Sequence, residues 1–289
     1  MFQSRPPPRP ALTHFLCIPL ATPAGRPQLA RSLAAFRADV AATPVTLSMG
    51  GSGRHSSNNP ADTWQGLLPA TAVRPVGTLH LTLGVMSLRD DGDGGSEGSV
   101  RRAVDILRGL EGISSLSSSS PNNDGGSPMT ISLRGLHAMQ PPARAAVLYA
   151  APVVDGGGRG VAVGTNRDLL ALCERIRAAF AGLLVADERP LLLHATVVNT
   201  VYVRGGQRGR GGGGPRGRGG RGGGRGGGGR LTFDARELLD RYDDAHPVWM
   251  AHVPVETVAL CRMGAQPTAV DADGQVVDEA YPVEWAVRI

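Results

Sequence analysis

The chain has 289 residues, 41 % of them apolar, enough for a sizeable core and bounding it to one large domain or two small ones. All thirty basic residues are arginine and the net charge is +5, but eight of those arginines lie between Arg204 and Arg230 with no acid among them. Setting them aside leaves −3, so any field that attracts polyanions belongs to one segment and not to the folded body. Cys17, Cys173 and Cys261 are odd in number and far apart, with no CxxC pair. They suggest neither a disulfide framework nor a zinc knuckle and are expected as buried, reduced thiols. Residues 1–11 are rich in Pro and Arg and read as a disordered N-terminus. They lack the apolar run of a signal peptide, and no stretch approaches the length of a membrane span. An intracellular protein, nuclear or cytoplasmic and without a membrane partner, is the expectation.

Along the chain, Leu12 to Leu20 is an apolar run closed by Pro19 and predicts a buried strand. Pro27 then opens a segment whose apolar residues Leu29, Leu33, Phe36 and Val40 recur at helical spacing. From Thr43 to Pro75 the composition predicts a loop, mobile over 48–62, before a strand from about Thr78. Ser99 reads as the N-cap of a helix over 100–110, followed by a low-complexity loop over 112–128. Strands over 129–136 and 145–154 flank a Pro-Pro turn, and a helix over 166–184 capped by Thr165 leads into a strand over 191–198. After the Arg/Gly stretch come a helix over 234–242 with Asp234 as N-cap and strands over 253–263 and 283–289.

Two of these strands carry the same pattern. Thr78-Leu79-His80-Leu81-Thr82-Leu83 is answered by Leu192-Leu193-His194-Ala195-Thr196-Val197. Successive side chains of a strand point to opposite faces, so His80 and Thr82 share one face, and His194 and Thr196 share the corresponding one. Two imidazoles turned to one cleft can divide acid and base roles, and the neighbouring hydroxyls can donate to an anion. A lone His-x-Thr or His-x-Ser is a weak signal: His55-Ser56-Ser57 matches it in a polar loop with no strand around it. The pair, one copy in each half and each in strand context, is what carries weight.

These motifs, with Thr13-His14-Phe15-Leu16, Val147-Leu148-Tyr149-Ala150, the extension Val198-Asn199-Thr200 and Phe233-Asp234-Ala235-Arg236-Glu237-Leu238-Leu239, resemble the LigT-like or 2H phosphoesterases. The nearest branch is the one shared by an A-kinase anchoring protein and subunit one of the activating signal cointegrator complex. The resemblance spans residues 12–289 and implies an α+β, bilobal fold: two similar lobes with antiparallel sheets facing a central cleft and helices outside. It implies His80 and His194 as catalytic residues, Thr82 and Thr196 as phosphate-binding residues, and an RNA or oligonucleotide substrate with a 2′,5′, 3′,5′ or 2′,3′-cyclic phosphodiester. No metal or cofactor is implied. Tyr202, just past the second motif, and His14, on the first strand, are secondary candidates for substrate contact.

The segment from Arg204 to Arg230 has no apolar surface to bury and is expected to be a disordered insert within one domain. Its arginines can pair with phosphates and stack on bases, which suggests an RNA tether. The cointegrator subunit carries a KH module before its phosphoesterase domain, whereas about a dozen residues precede the first strand here, so coactivator-complex partners rest on analogy alone. Two functions remain open at this point. One is a metal-independent phosphodiesterase; the other is a non-catalytic RNA- or nucleotide-binding module, a coactivator or repair-complex subunit by the same analogy.

Overall fold

The computed structural model describes residues 11–49, 63–89, 98–113, 129–153, 167–203, 230–243 and 248–289. Four of the expected features therefore lie wholly or almost wholly outside the described residues: the N-terminus, the loop over 112–128, the cap at Thr165 and the Arg/Gly insert up to residue 229. So does most of the segment expected to be mobile, whose first residues, Ser48 and Met49, instead end a strand.

The chain is α+β, as expected. Among the described residues, four helices, α1 (Arg26–Ala42), α2 (Val100–Arg108), α3 (Arg167–Ala179) and α4 (Arg236–Arg241), pack on antiparallel sheets. The helices fall where the apolar periodicity puts them: Leu29, Leu33, Phe36 and Val40 of α1 are all buried, and Ser99 accepts a bond from the Arg102 backbone N–H at 3.2 Å as the N-cap of α2. α4 begins later than expected, with Ala235 and not Asp234 as its N-cap; Asp234, one residue earlier, accepts from the Arg236 N–H at 3.1 Å.

The main sheet has eight strands: β1 (His14–Pro19), β4 (His80–Met86), β5 (Thr130–Ala138), β6 (Val147–Val153), β7 (Ala195–Asn199), β9 (Val248–Pro254), β10 (Thr257–Arg262) and β13 (Val283–Arg288). Their order is β13-β10-β1-β4-β7-β6-β5-β9, which divides into two four-stranded halves, each ending on one motif strand. The resemblance implies two facing sheets; here the halves meet in a single sheet. Among the described residues, β4 and β7 pair at one position, Leu81 opposite Ala195, so the junction is narrow.

Two smaller sheets were not foreseen. β2 (Val45–Met49), in the segment read as a loop, pairs with β3 (Thr63–Gly66) and with β8 (Leu231–Phe233), which lies beyond the insert. β11 (Gln266–Val270) and β12 (Val276–Ala280) form a hairpin whose turn has Gly274 at φ +74°, a conformation that glycine adopts without a Cβ clash. The strand expected over 253–263 is two strands, β9 and β10, broken at Val255-Glu256.

One core runs between the sheet and the helices. Its largest buried rings are Trp249, Phe36, Phe180 and Phe233, and the Trp249 indole N–H donates to the Gly135 carbonyl at 2.7 Å. The three cysteines are buried and unbridged, as expected, with the Sγ atoms of Cys17 and Cys261 3.8 Å apart across β1 and β10.

Leu81 is fully buried at the junction of the two halves. Truncation there removes apolar contacts and opens a cavity, so Leu81→Ala should lower stability by about 2–5 kcal/mol. Urea unfolding is the check: the midpoint should fall with an unchanged slope.

Candidate active site

The alternation read from sequence is present in both motifs. His80 and Thr82 are half-buried on one face of β4 while Leu81 and Leu83 are buried on the other, and His194, Ala195, Thr196 and Val197 repeat the pattern. Antiparallel pairing of Leu81 with Ala195, continued by one residue each way, sets His80 across from Thr196 and Thr82 across from His194. The four side chains thus lie on the face opposite the buried Leu81 and Ala195.

The two imidazoles are held in the same way. His80 Nδ1 lies 2.7 Å from the Thr78 carbonyl oxygen, and His194 Nδ1 lies 2.8 Å from that of Leu192. A carbonyl only accepts, so Nδ1 carries the hydrogen in both rings and Nε2 is left for chemistry. Each ring also meets an aromatic side chain from the flanking strand of its own half. Phe15 of β1 lies 4.8 Å from His80 between ring centroids, and Tyr149 of β6 lies 5.5 Å from His194, edge to face.

Beyond that symmetry the surroundings differ. His80 is also covered by Tyr281, edge-on at 5.4 Å, which in turn meets Phe15 at 4.8 Å. Burial pushes the His80 imidazole down to about pH 4, against the Thr78 carbonyl, which favours its proton; the charges of His194 and Arg74 lower it further.

Arg74, ahead of β4, is buried against β7. Its backbone N–H donates to the Val197 carbonyl at 2.8 Å, its own carbonyl accepts from the Arg37 guanidinium at 2.8 Å, and its guanidinium lies 3.6 Å over the Tyr202 ring. The Tyr281 phenol is pushed up to about 12, chiefly by burial and next by the neighbouring Tyr202 side chain, against the charge of Arg74.

Of the sequence candidates, the structure brings together His80, His194, Thr82 and Thr196, with Tyr202 attached to the cluster through Arg74 and Tyr281. It does not bring in His14. On β1 it is Pro19 that pairs with His80, whereas His14 pairs with Met86 at the other end of β4 and is buried with Nε2 3.6 Å from Glu284. Phe15, Arg74, Tyr149 and Tyr281 were not singled out as site residues. Phe15 and Tyr149 stand in segments that carry the resemblance; Arg74 and Tyr281 are marked by no spacing or motif.

The chain matches the family model of the AKAP7 2'5' RNA ligase-like domain over residues 12–271. Among curated proteins none matches it. Among solved structures it is similar to a crystal structure of a phosphoesterase, with a TM-score of 0.39, 16 % identity and 96 % of this chain covered against 98 % of that one. It is similar also to E. coli LigT complexed with 3'-AMP (TM-score 0.41, 15 % identity, 96 % and 98 % covered) and with NADP+ (0.39, 15 %, 97 % and 98 %).

The depressed imidazole has a consequence for stability. An unfolded His80 takes a proton near pH 6.5, while the folded one resists it until about pH 4. Between those values the unfolded chain binds more protons, so the stability from a neutral His80 is complete above pH 6.5 and is lost as pH falls toward 4. Urea melts across that window should show a shallower loss for His80→Gln, which has no proton to take, than for the wild type.

Proposed function

The chain belongs to the AKAP7 2'5' RNA ligase-like domain family, among the LigT-like 2H phosphoesterases, and from that premise we propose that it is a metal-independent phosphodiesterase acting on RNA or oligonucleotide 2′,5′, 3′,5′ or 2′,3′-cyclic phosphates. The observation that carries this reading is the crossed arrangement of two His-x-Thr motifs, with both Nδ1 atoms tied to backbone carbonyls and both Nε2 atoms left for proton transfer.

His80, held neutral by its buried setting, takes the proton from the attacking ribose hydroxyl or water through Nε2. His194, in its protonated form, gives a proton through Nε2 to the leaving oxygen. The Thr82 and Thr196 hydroxyls donate to the non-bridging oxygens, where negative charge grows as the attacking oxygen closes on phosphorus. Arg74 supplies a fixed positive charge near His80 that favours an anion there. Tyr202 is 40 % exposed, and with one ring face covered by Arg74 the other is suited to stacking on a base.

The Arg/Gly segment acts in this reading as a tether for longer RNA. Its return point supports a position near the cleft: Arg230 donates to the Asn199 side-chain oxygen at 2.5 Å and to the Thr200 hydroxyl at 3.2 Å, a few residues past Thr196.

Short RNAs with 2′,5′ linkages, 3′,5′ linkages and 2′,3′-cyclic ends, incubated with the protein in EDTA, test the reaction. His80→Ala and His194→Ala should each lower the rate by about 10²–10⁴. The acidic limb of the kcat/KM profile should lie near pH 4, where His80 protonates, and not near 6.5. RNA bound but never cut would instead make the cleft a binding module. Deleting residues 204–229 should weaken binding of long RNA and flatten its salt dependence while leaving cleavage of a dinucleotide unchanged.

A further inference from the structure

The β11–β12 hairpin lies outside the two halves of the main sheet, and the family match ends at residue 271, before β12 begins. Yet β12 is latched to the 3-10 turn Val76–Thr78 that leads into His80. The Asp278 carboxylate accepts from the Gly77 backbone N–H at 3.0 Å and pairs with Arg26 at 2.7 Å. Gly77 is without a side chain where a Cβ would come within 2.5 Å of the Glu279 carbonyl oxygen, so the hairpin backbone lies directly on that turn. Tyr281 follows at the end of this strand, and its ring completes a triangle with Phe15 and His80 whose centroids are 4.8 to 5.4 Å apart.

We propose that Tyr281 is a positioning residue for the reaction: carried in by the latched hairpin, its ring closes the side of His80 that Phe15 leaves open and makes His80, not His194, the proton acceptor of the pair. The proposal rests on the phosphodiesterase reading. It accounts for an asymmetry that the two motifs do not contain, since their residues, their crossed pairing and their Nδ1 contacts are alike. Among the described residues, His194 has Tyr149 at its edge and no counterpart of Tyr281.

The groups around His80 agree with this role. Phe15 from β1 is uncharged. Arg74, ahead of β4, and His194, ahead of β7, both disfavour a second positive charge there. Tyr281 itself stays a neutral phenol because burial and the Tyr202 side chain hold its proton, so the wall adds no anion that would draw a proton onto His80. Glu279, the carboxylate beside Tyr281 on the hairpin, lies 4.0 Å from Arg74.

The test is an NMR titration of the His80 imidazole in the full chain, with the pH profile of kcat/KM beside it. In the wild type and in Tyr281→Phe, which keeps the ring, His80 should titrate near pH 4. In Tyr281→Ala its proton affinity should rise at least tenfold, and the acidic limb of kcat/KM should move up with it. Asp278→Ala, which releases the latch and keeps the ring, should move both in the same direction and serves if the first variant does not fold. His80 unmoved in both variants overturns the proposal, as does a wild-type His80 that titrates near 6.5. Cleavage that persists in Tyr281→Ala with its acidic limb unshifted overturns the assignment of roles. A wild type that cuts none of the RNAs while His80 titrates near pH 4 overturns the phosphodiesterase reading and leaves the hold of Tyr281 on His80 standing.

Discussion

The arrangement depends on one strand contact, Leu81 of β4 against Ala195 of β7, where the two four-stranded halves of the sheet meet. Both side chains are buried beneath the sheet, which fixes which face the neighbouring residues take. A slip of one residue in either strand would turn its histidine and threonine into the core and its apolar residues to the opposite face. Burial of Leu81, Leu83, Ala195 and Val197 therefore does more than stabilise the fold. It sets the register that places an imidazole opposite a hydroxyl twice over.

Near-symmetry of sequence does not make the two imidazoles equivalent. Each is held through Nδ1 by a carbonyl two residues back and touched by one ring from its flanking strand, so each motif is a complete local unit. What differs comes from outside the repeat: the β11–β12 hairpin and a buried arginine ahead of β4, both beside His80. General acid and base catalysis needs its two groups in opposite protonation states at one pH, and unequal surroundings supply that difference where equal sequences cannot.

Much of this was legible in the chain because it is local. Period-two alternation assigned the faces of His80, Thr82, His194 and Thr196, and three- and four-residue spacing located α1 and α3. What stayed hidden depends on register between distant segments. β2 is a strand because Leu47 pairs with Phe233 beyond the insert, and no local signal in a Gly- and Ser-rich neighbourhood announces that partner. The β11–β12 hairpin did have a signal, Asp271-Ala272-Asp273-Gly274 between apolar residues, a turn sequence that could have been read. Arg74, Phe15 and Tyr281 could not be read as site residues, since their nearness to His80 follows from pairing and docking and not from spacing. His14 shows the converse error: it lies on the strand beside β4, but at the end remote from His80, and strand membership alone does not tell one end from the other.

The Arg230 clamp on Asn199 and Thr200 bears on how this protein can vary. Thr200 is itself anchored, its N–H donating to the Ala146 carbonyl and its hydroxyl to that of Leu231, so the chain leaves β7 and re-enters β8 at a fixed doorway. For a flexible loop with fixed ends, the entropy of closure grows only with the logarithm of its length, about 0.6 kcal/mol for each doubling. Lengthening or shortening at this doorway is thus nearly free for the fold. The length of the connection can therefore change while the doorway at Asn199 and Thr200, and the two motifs behind it, stay as they are.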